Sequence, residues 1–114
     1  MSKIYEKLES YLSGEEWRRH AFNAIDAIPY GHVATYGYIA SQVESQTGSN
    51  PGSRNVAKLR RRLYGILSHD TTLPLHRVAK QGDGESNYDS EETKEINKKR
   101  REAEGFFANP RWLK

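Results

Sequence analysis

A mainly α-helical domain with a small β wing, in the order of a winged helix-turn-helix, is the fold this sequence predicts. Three observations predict it. Helical patterning over Tyr36 to about Val43 and again over Arg54 to about Leu67 marks two successive helices. Between them Ser45 to Gly52, rich in Ser, Gly, Asn and Pro, reads as a loop. After them Leu73 to Lys80 turns extended, Gln81-Gly82-Asp83-Gly84 is a strong turn signal, and Glu85 to Asp89 is expected to return as a second strand. In this arrangement the second helix enters a groove of double-stranded DNA and the wing flanks it.

The elements follow in chain order. Ser2 to Leu12 is expected as a short helix with Ile4, Leu8, Tyr11 and Leu12 on one side, broken by Gly14. Glu15 to Ala27 is a stronger helix, because its acidic start suits the positive end of the helix dipole. Trp17, Phe22, Ala24, Ile25 and then Ile28 lean inward, and Pro29-Tyr30-Gly31 ends the helix. His32-Val33-Ala34 is a short extended link, and Thr35 is placed to cap the next helix. Ser53 is a candidate cap for the helix after the loop, in which Val56, Leu59, Leu63, Ile66 and Leu67 recur at helical spacing. Lys58, Arg61 and Arg62 then fall mainly on its other side. Ser90, Glu91 and Glu92 start a polar helix that reaches Glu104 and stops at Gly105. Phe106, Phe107 and Trp112 are expected to fold back onto the core.

With 114 residues the chain suits one domain, 1–114, with a modest core. Hydrophobic residues make up 35% and charged ones 29%, so seven tyrosines and two tryptophans must supply part of the filling. The absence of cysteine excludes a disulfide scaffold and any thiolate zinc site. His20, His32, His69 and His76 are scattered without ligand spacing, so no metal is expected, and Gly82-x-Gly84 reads as a turn rather than a phosphate loop. No apolar run approaches the roughly 20 residues of a membrane span, and the N-terminus lacks the apolar stretch of a secretory signal. A soluble, cytoplasmic, monomeric protein is the expectation. The net charge of +3 is mild, so its distribution matters more: Lys58, Arg60, Arg61 and Arg62 form one basic cluster, and Lys94, Lys98, Lys99, Arg100 and Arg101 another. Either can attract phosphates through counterion release, or be a solvated helix face.

Four segments carry a family resemblance. Ile28-Pro29-Tyr30-Gly31 leads into Thr35-Tyr36-Gly37-Tyr38-Ile39-Ala40; Arg54-Asn55-Val56-Ala57, Pro74-Leu75-His76-Arg77-Val78 and Glu102-Ala103-Glu104-Gly105 follow. Their order and spacing resemble the DNA-binding domain of O6-alkylguanine-DNA alkyltransferases, over roughly Ala21 to Gly105, with residues 1–14 as a helical extension. The resemblance implies an alkyltransferase C-terminal-domain-like fold. Leu75 stands where that family has its reactive cysteine, and the chain has no other thiol. Alkyl transfer to sulfur needs a thiolate. The chain is therefore similar to the non-catalytic branch, the alkyltransferase-like proteins, although these usually carry tryptophan at that position. What this implies is no enzyme, no cofactor, binding of O6-alkylguanine in DNA by nucleotide flipping, and hand-over to nucleotide excision repair proteins. A winged-helix regulatory module without lesion specificity is the alternative.

The resemblance also assigns residues. Arg54 would fill the base stack after a nucleotide has flipped, although the stretch from Arg54 to Leu75 is about four residues longer than usual, roughly one helical turn. Arg61 is for that reason a second candidate. Tyr36 would press on the phosphate beside the lesion, with Asn55, Lys58, Arg61 and Arg62 completing the DNA-binding set. Leu75, His76 and Tyr88 would join Tyr36 in the lesion pocket, Tyr88 offering a ring face for stacking. Each has a plainer reading: Arg54 a phosphate contact, Tyr36 and Leu75 core residues, His76 a structural partner of Glu104, and Tyr88 an exposed wing tyrosine. The family's hinge asparagine is not evident; His69-Asp70 lie near that place.

Overall fold

The structure, a computed structural model, describes residues 3–69, 71–80, 85–86 and 88–114. The expected turn Gln81–Gly84 and Asp70 lie outside the described residues. Five helices carry the chain: α1 Lys3–Ser13, α2 Glu16–Asp26, α3 Tyr36–Thr47, α4 Ser53–Leu67 and α5 Glu91–Ala103. Two strands, β1 Ala34–Thr35 and β2 Val78–Ala79, complete it.

Apolar stripes decide the packing. Ala21 and Ile25 of α2, Ile39, Ala40 and Val43 of α3, and Val56, Leu59 and Leu63 of α4 meet in one buried cluster with Leu75 and Val78. Each fully buried aliphatic side chain contributes about 1.5–3 kcal/mol, so α3 is held between α2 and α4 chiefly by this stripe. Trp17, Phe22 and Ala24 lie half-buried against it, as expected, and so do Leu8 and Tyr11 of α1. Ile4 does not: it is 51% exposed, because the first turn of α1 overhangs the core.

Thr35 caps α3 as predicted, its hydroxyl accepting the Tyr38 N–H at 3.0 Å. The helix overruns the predicted end and takes in Ser45, Gln46 and Thr47. Local polarity is a weak stop signal, whereas Gly48 can adopt φ +80° and does, returning its N–H to Glu44 O at 2.8 Å. The cap of α4 also differs: Ser53 is already helical, and Gly52 holds the N-cap position. Ser90 caps α5 by accepting the Thr93 N–H. Past its end Gly105 N–H bonds to Glu102 O and Phe106 N–H to Arg101 O, which aims Phe106 inward.

The fold class is as predicted, mainly helical with a small sheet, but the strand pairing is not. Glu85, Ser86, Tyr88 and Asp89 form no return strand; Asp89 N–H closes a turn onto Ser86 O at 3.1 Å. Leu75–Arg77 is a single 3₁₀ turn rather than extended chain. β2 instead pairs in parallel with β1, Ala34 opposite Val78 and Thr35 opposite Ala79. The C-terminal tail runs along Val33, with Val33 N–H to Arg111 O and Leu113 N–H to Val33 O both at 2.9 Å. Phe106 and Trp112 thereby fold back as predicted, edge to face at 5.2 Å, over Val33 and Ala79.

Candidate nucleic-acid interface

The β1–β2 pairing brings two distant stretches together. On one side Thr35 delivers Tyr36 to the first position of α3, and Gly52 starts α4 with Ser53 and Arg54. On the other side Lys80 follows β2, and Ser86 and Tyr88 lie in the turn before α5. Tyr36, Ser53, Arg54, Ala57, Lys80, Ser86 and Tyr88 line one open cleft of about 410 Å³. That volume falls within the roughly 300–1,000 Å³ of small-ligand sites. Three residues assigned from sequence, Tyr36, Arg54 and Tyr88, are thus brought to one place. Lys58 joins them, its ammonium 5.7 Å from the centre of the Tyr88 ring.

Tyr36 is an inner wall, 5% exposed. Among the described residues its hydroxyl has no hydrogen-bond partner of normal geometry, although Ser86 is close enough to favour its ionised form. Burial outweighs that and pushes the phenol far above its ordinary value, so the group is a protonated donor.

The other assigned residues are placed elsewhere. Leu75 is fully buried in the core cluster and His76 is drawn to Glu104, so neither is on the cleft's lining. Asn55 donates to Pro51 O at 2.8 Å and ties the loop before α4. Arg61 lines a neighbouring cleft of about 490 Å³ with Tyr64, His69 and Thr93, which shares Tyr88 as a wall. Arg62 lies over the Tyr11 ring at 5.8 Å, in a larger groove of about 710 Å³ between α1 and α4 that holds no other assigned residue.

Arg60 is not part of the surface cluster in which its charge placed it. It is completely buried. Its guanidinium donates to Leu75 O at 3.2 Å and to Val78 O, pairs with Asp89 and, at 3.5 Å, with Glu85, and lies 5.2 Å from the centre of the Tyr36 ring. The signal was in the spacing: Arg60 stands four residues after Val56 and three before Leu63, on the apolar stripe. Glu85 in turn pairs with buried Arg101, which also donates to His76 O at 3.2 Å. Burial raises the Asp89 carboxyl while Arg60 opposes it. The geometry, one guanidinium within ion-pair reach of two carboxylates, is that of a charged cluster. It fixes the turn that carries Ser86 and Tyr88, and so it holds one wall of the cleft.

In the second basic cluster, Lys94 pairs with Glu91 at 3.1 Å and Lys99 with Glu95 at 3.7 Å, as on a solvated helix face. Arg100 turns inward to His69 O.

A second hub lies at the 3₁₀ turn. Glu104 accepts from Arg77 Nε at 2.9 Å and Arg77 Nη2 at 3.0 Å, from His76 Nε2 at 2.6 Å, and from the Gly31 N–H at 3.1 Å. Arg77 also donates to Ile28 O at 2.8 Å. Gly31 holds φ +79°, a conformation that costs a side-chain-bearing residue strain. Burial alone would raise the Glu104 carboxyl, but the hydrogen bonds from Arg77, His76 and Gly31 win and hold it at about 2. Burial depresses the His76 imidazole below its ordinary value, against the pull of Glu104. In its neutral form His76 can donate to Glu104 and tie the 3₁₀ turn to the end of α5. Among the described residues no three His, Asp or Glu side chains converge to hold a metal, and no helix is long and apolar enough to cross a membrane.

The family described as 6-O-methylguanine DNA methyltransferase, DNA binding domain, matches residues 16–106. Two solved structures resemble the chain. S. pombe Atl1 in complex with damaged DNA containing O6-carboxymethylguanine is 32% identical, with a TM-score of 0.63, over 79% of this chain and 76% of that one. S. pombe ATL in complex with DNA is 30% identical, with a TM-score of 0.58, over the same shares. Comparison with curated protein sequences found no match.

Proposed function

The chain belongs to the family of the 6-O-methylguanine DNA methyltransferase DNA-binding domain, and from that premise we propose that it binds alkylated double-stranded DNA without repairing it. An O6-alkylguanine flips into the cleft between Tyr36, Arg54 and Tyr88. Arg54, at the exposed start of α4, takes the vacated place in the stack; its planar guanidinium suits that role better than an ammonium. Tyr88 offers a ring face to the extruded base, and Lys58 and Arg61 meet backbone phosphates. The carrying observation is that residues from positions 36, 54 and 88 line one cleft of base-accepting size. The complex of S. pombe Atl1 with DNA containing O6-carboxymethylguanine supports the same class of ligand, and that of S. pombe ATL supports DNA. No cysteine is present to accept an alkyl group, so the bound lesion persists as a flag for downstream excision repair.

A competition titration tests this. An O6-methylguanine duplex is expected to bind about tenfold or more tightly than the same duplex with guanine, from stacking worth roughly 1–3 kcal/mol. The intact mass of the protein should not change on incubation. Equal affinities for the two duplexes would show a DNA-binding module without lesion specificity. Changing Arg54 and Tyr88 together to alanine should weaken lesion binding by on the order of 2–4 kcal/mol with little change in melting temperature. Unchanged affinity would move the interface elsewhere on the surface.

A further inference from the structure

The cleft carries positive charge at a residue, Lys80, to which the sequence assigned no role in it. Among the described residues its lining holds two cations, Arg54 and Lys80, and no carboxylate. The described acids of the turn before α5 are paired: Asp89 and Glu85 with Arg60, and Glu85 also with Arg101. Arg54 and Lys80 are exposed, and among the described residues neither side chain has a hydrogen bond or ion pair. Arg54 belongs to the outer rim, at a helix start. Lys80 has a different origin. It follows Val78 and Ala79, both fully buried in the parallel pair with β1, so it joins the cleft's lining from the sheet rather than from a helix. Its companions there are Tyr36 and Ser86, 5% and 2% exposed, and the Tyr36 hydroxyl is a buried donor without a partner of normal geometry.

A cleft lined by an exposed lysine and by a buried O–H donor without a described partner suits an anion carried into it. We propose that Lys80 makes this cleft select O6-substituents that end in an anion, a carboxylate above all, over neutral alkyl groups of the same size. The inference rests on the lesion-binding reading above. The physical ground is a difference in what each guest can offer. A neutral alkyl group gains only from burial, about 0.8 kcal/mol for each CH₂. A carboxylate gains charge-assisted hydrogen bonds in a partly desolvated site, and these are among the strong ones. The same chemistry could be supplied by a DNA phosphate, but a phosphate is present in every duplex and brings no selectivity.

Three otherwise identical duplexes separate these sources: one with O6-carboxymethylguanine, one with its neutral near-isostere O6-carbamoylmethylguanine, and one with guanine. Affinities are measured for the unaltered protein, Lys80→Gln and Lys80→Arg. The unaltered protein is expected to prefer the carboxylate over the amide roughly fivefold or more. Lys80→Gln should abolish that preference, while Lys80→Arg keeps it. Equal binding of carboxylate and amide by the unaltered protein would overturn the inference. So would an equal loss on all three duplexes in Lys80→Gln, which assigns the lysine to the phosphate backbone. If neither lesion duplex binds better than guanine, the lesion reading itself has failed, and the selectivity with it.

Discussion

Replacing Arg60 by methionine is expected to lower folding stability by about 3–5 kcal/mol, a large share of the roughly 5–15 kcal/mol available to a domain of this size. Methionine is close in length and fits an apolar stripe, so the loss is not one of volume. It comes from Asp89, buried and left without its cation, and from Leu75 and Val78 carbonyls left without their donor. Glu85 suffers less, because Arg101 still faces it. Denaturant unfolding measures the loss, and the pair Arg60→Met with Asp89→Asn should recover part of it by removing the stranded charge. A cost below about 1 kcal/mol for Arg60→Met alone would mean that the cluster contributes little net stability.

Acid should expose the second hub. Glu104 has an unfolded value of 4.5 and a folded one of about 2. A carboxyl depressed on folding adds stability that is present above its unfolded value and disappears as pH falls through the folded one. The gap is worth about 3 kcal/mol between pH 5 and pH 2. His76 acts in the same direction at higher pH: its imidazole is depressed by burial, so its share is present above its ordinary value of 6.5 and declines as pH falls below that. Glu104→Gln is therefore expected to cost about 2–3 kcal/mol at pH 7, and the difference from the unaltered protein should shrink towards pH 2. Thermal melts of both proteins across this range decide the matter. Parallel pH profiles would show that Glu104 is not the group that titrates.

How far the fold could be read in advance depended on how local each cause is. Thr35 and Ser90 are caps whose partners lie three residues on, and both were legible. So were the helical stripes, since period 3.6 is a property of a short window. The pairing of Ala34 with Val78 was not, because two-residue strands carry no periodicity and their partner is remote in sequence. A hairpin was the local guess, and the turn at Asp89 took its place. Among the site residues, Tyr36, Arg54 and Tyr88 were legible through the resemblance. Arg60 was misread, because charge was weighed above position. Lys80, Ser86 and Ala57 went unread, since nothing local distinguishes a cleft-facing residue from its neighbours.

The parallel alignment of β1 and β2 bears on how the binding site comes into being. One wall comes from Tyr36, Ser53, Arg54 and Ala57 and the other from Lys80, Ser86 and Tyr88, and the two meet through the register of positions 34 and 78. Closing so wide a separation is entropically slow, and helices mature sooner than such contacts. The cleft thus has no nascent form in either stretch alone. It is expected to assemble late in folding, after the helices that carry its walls.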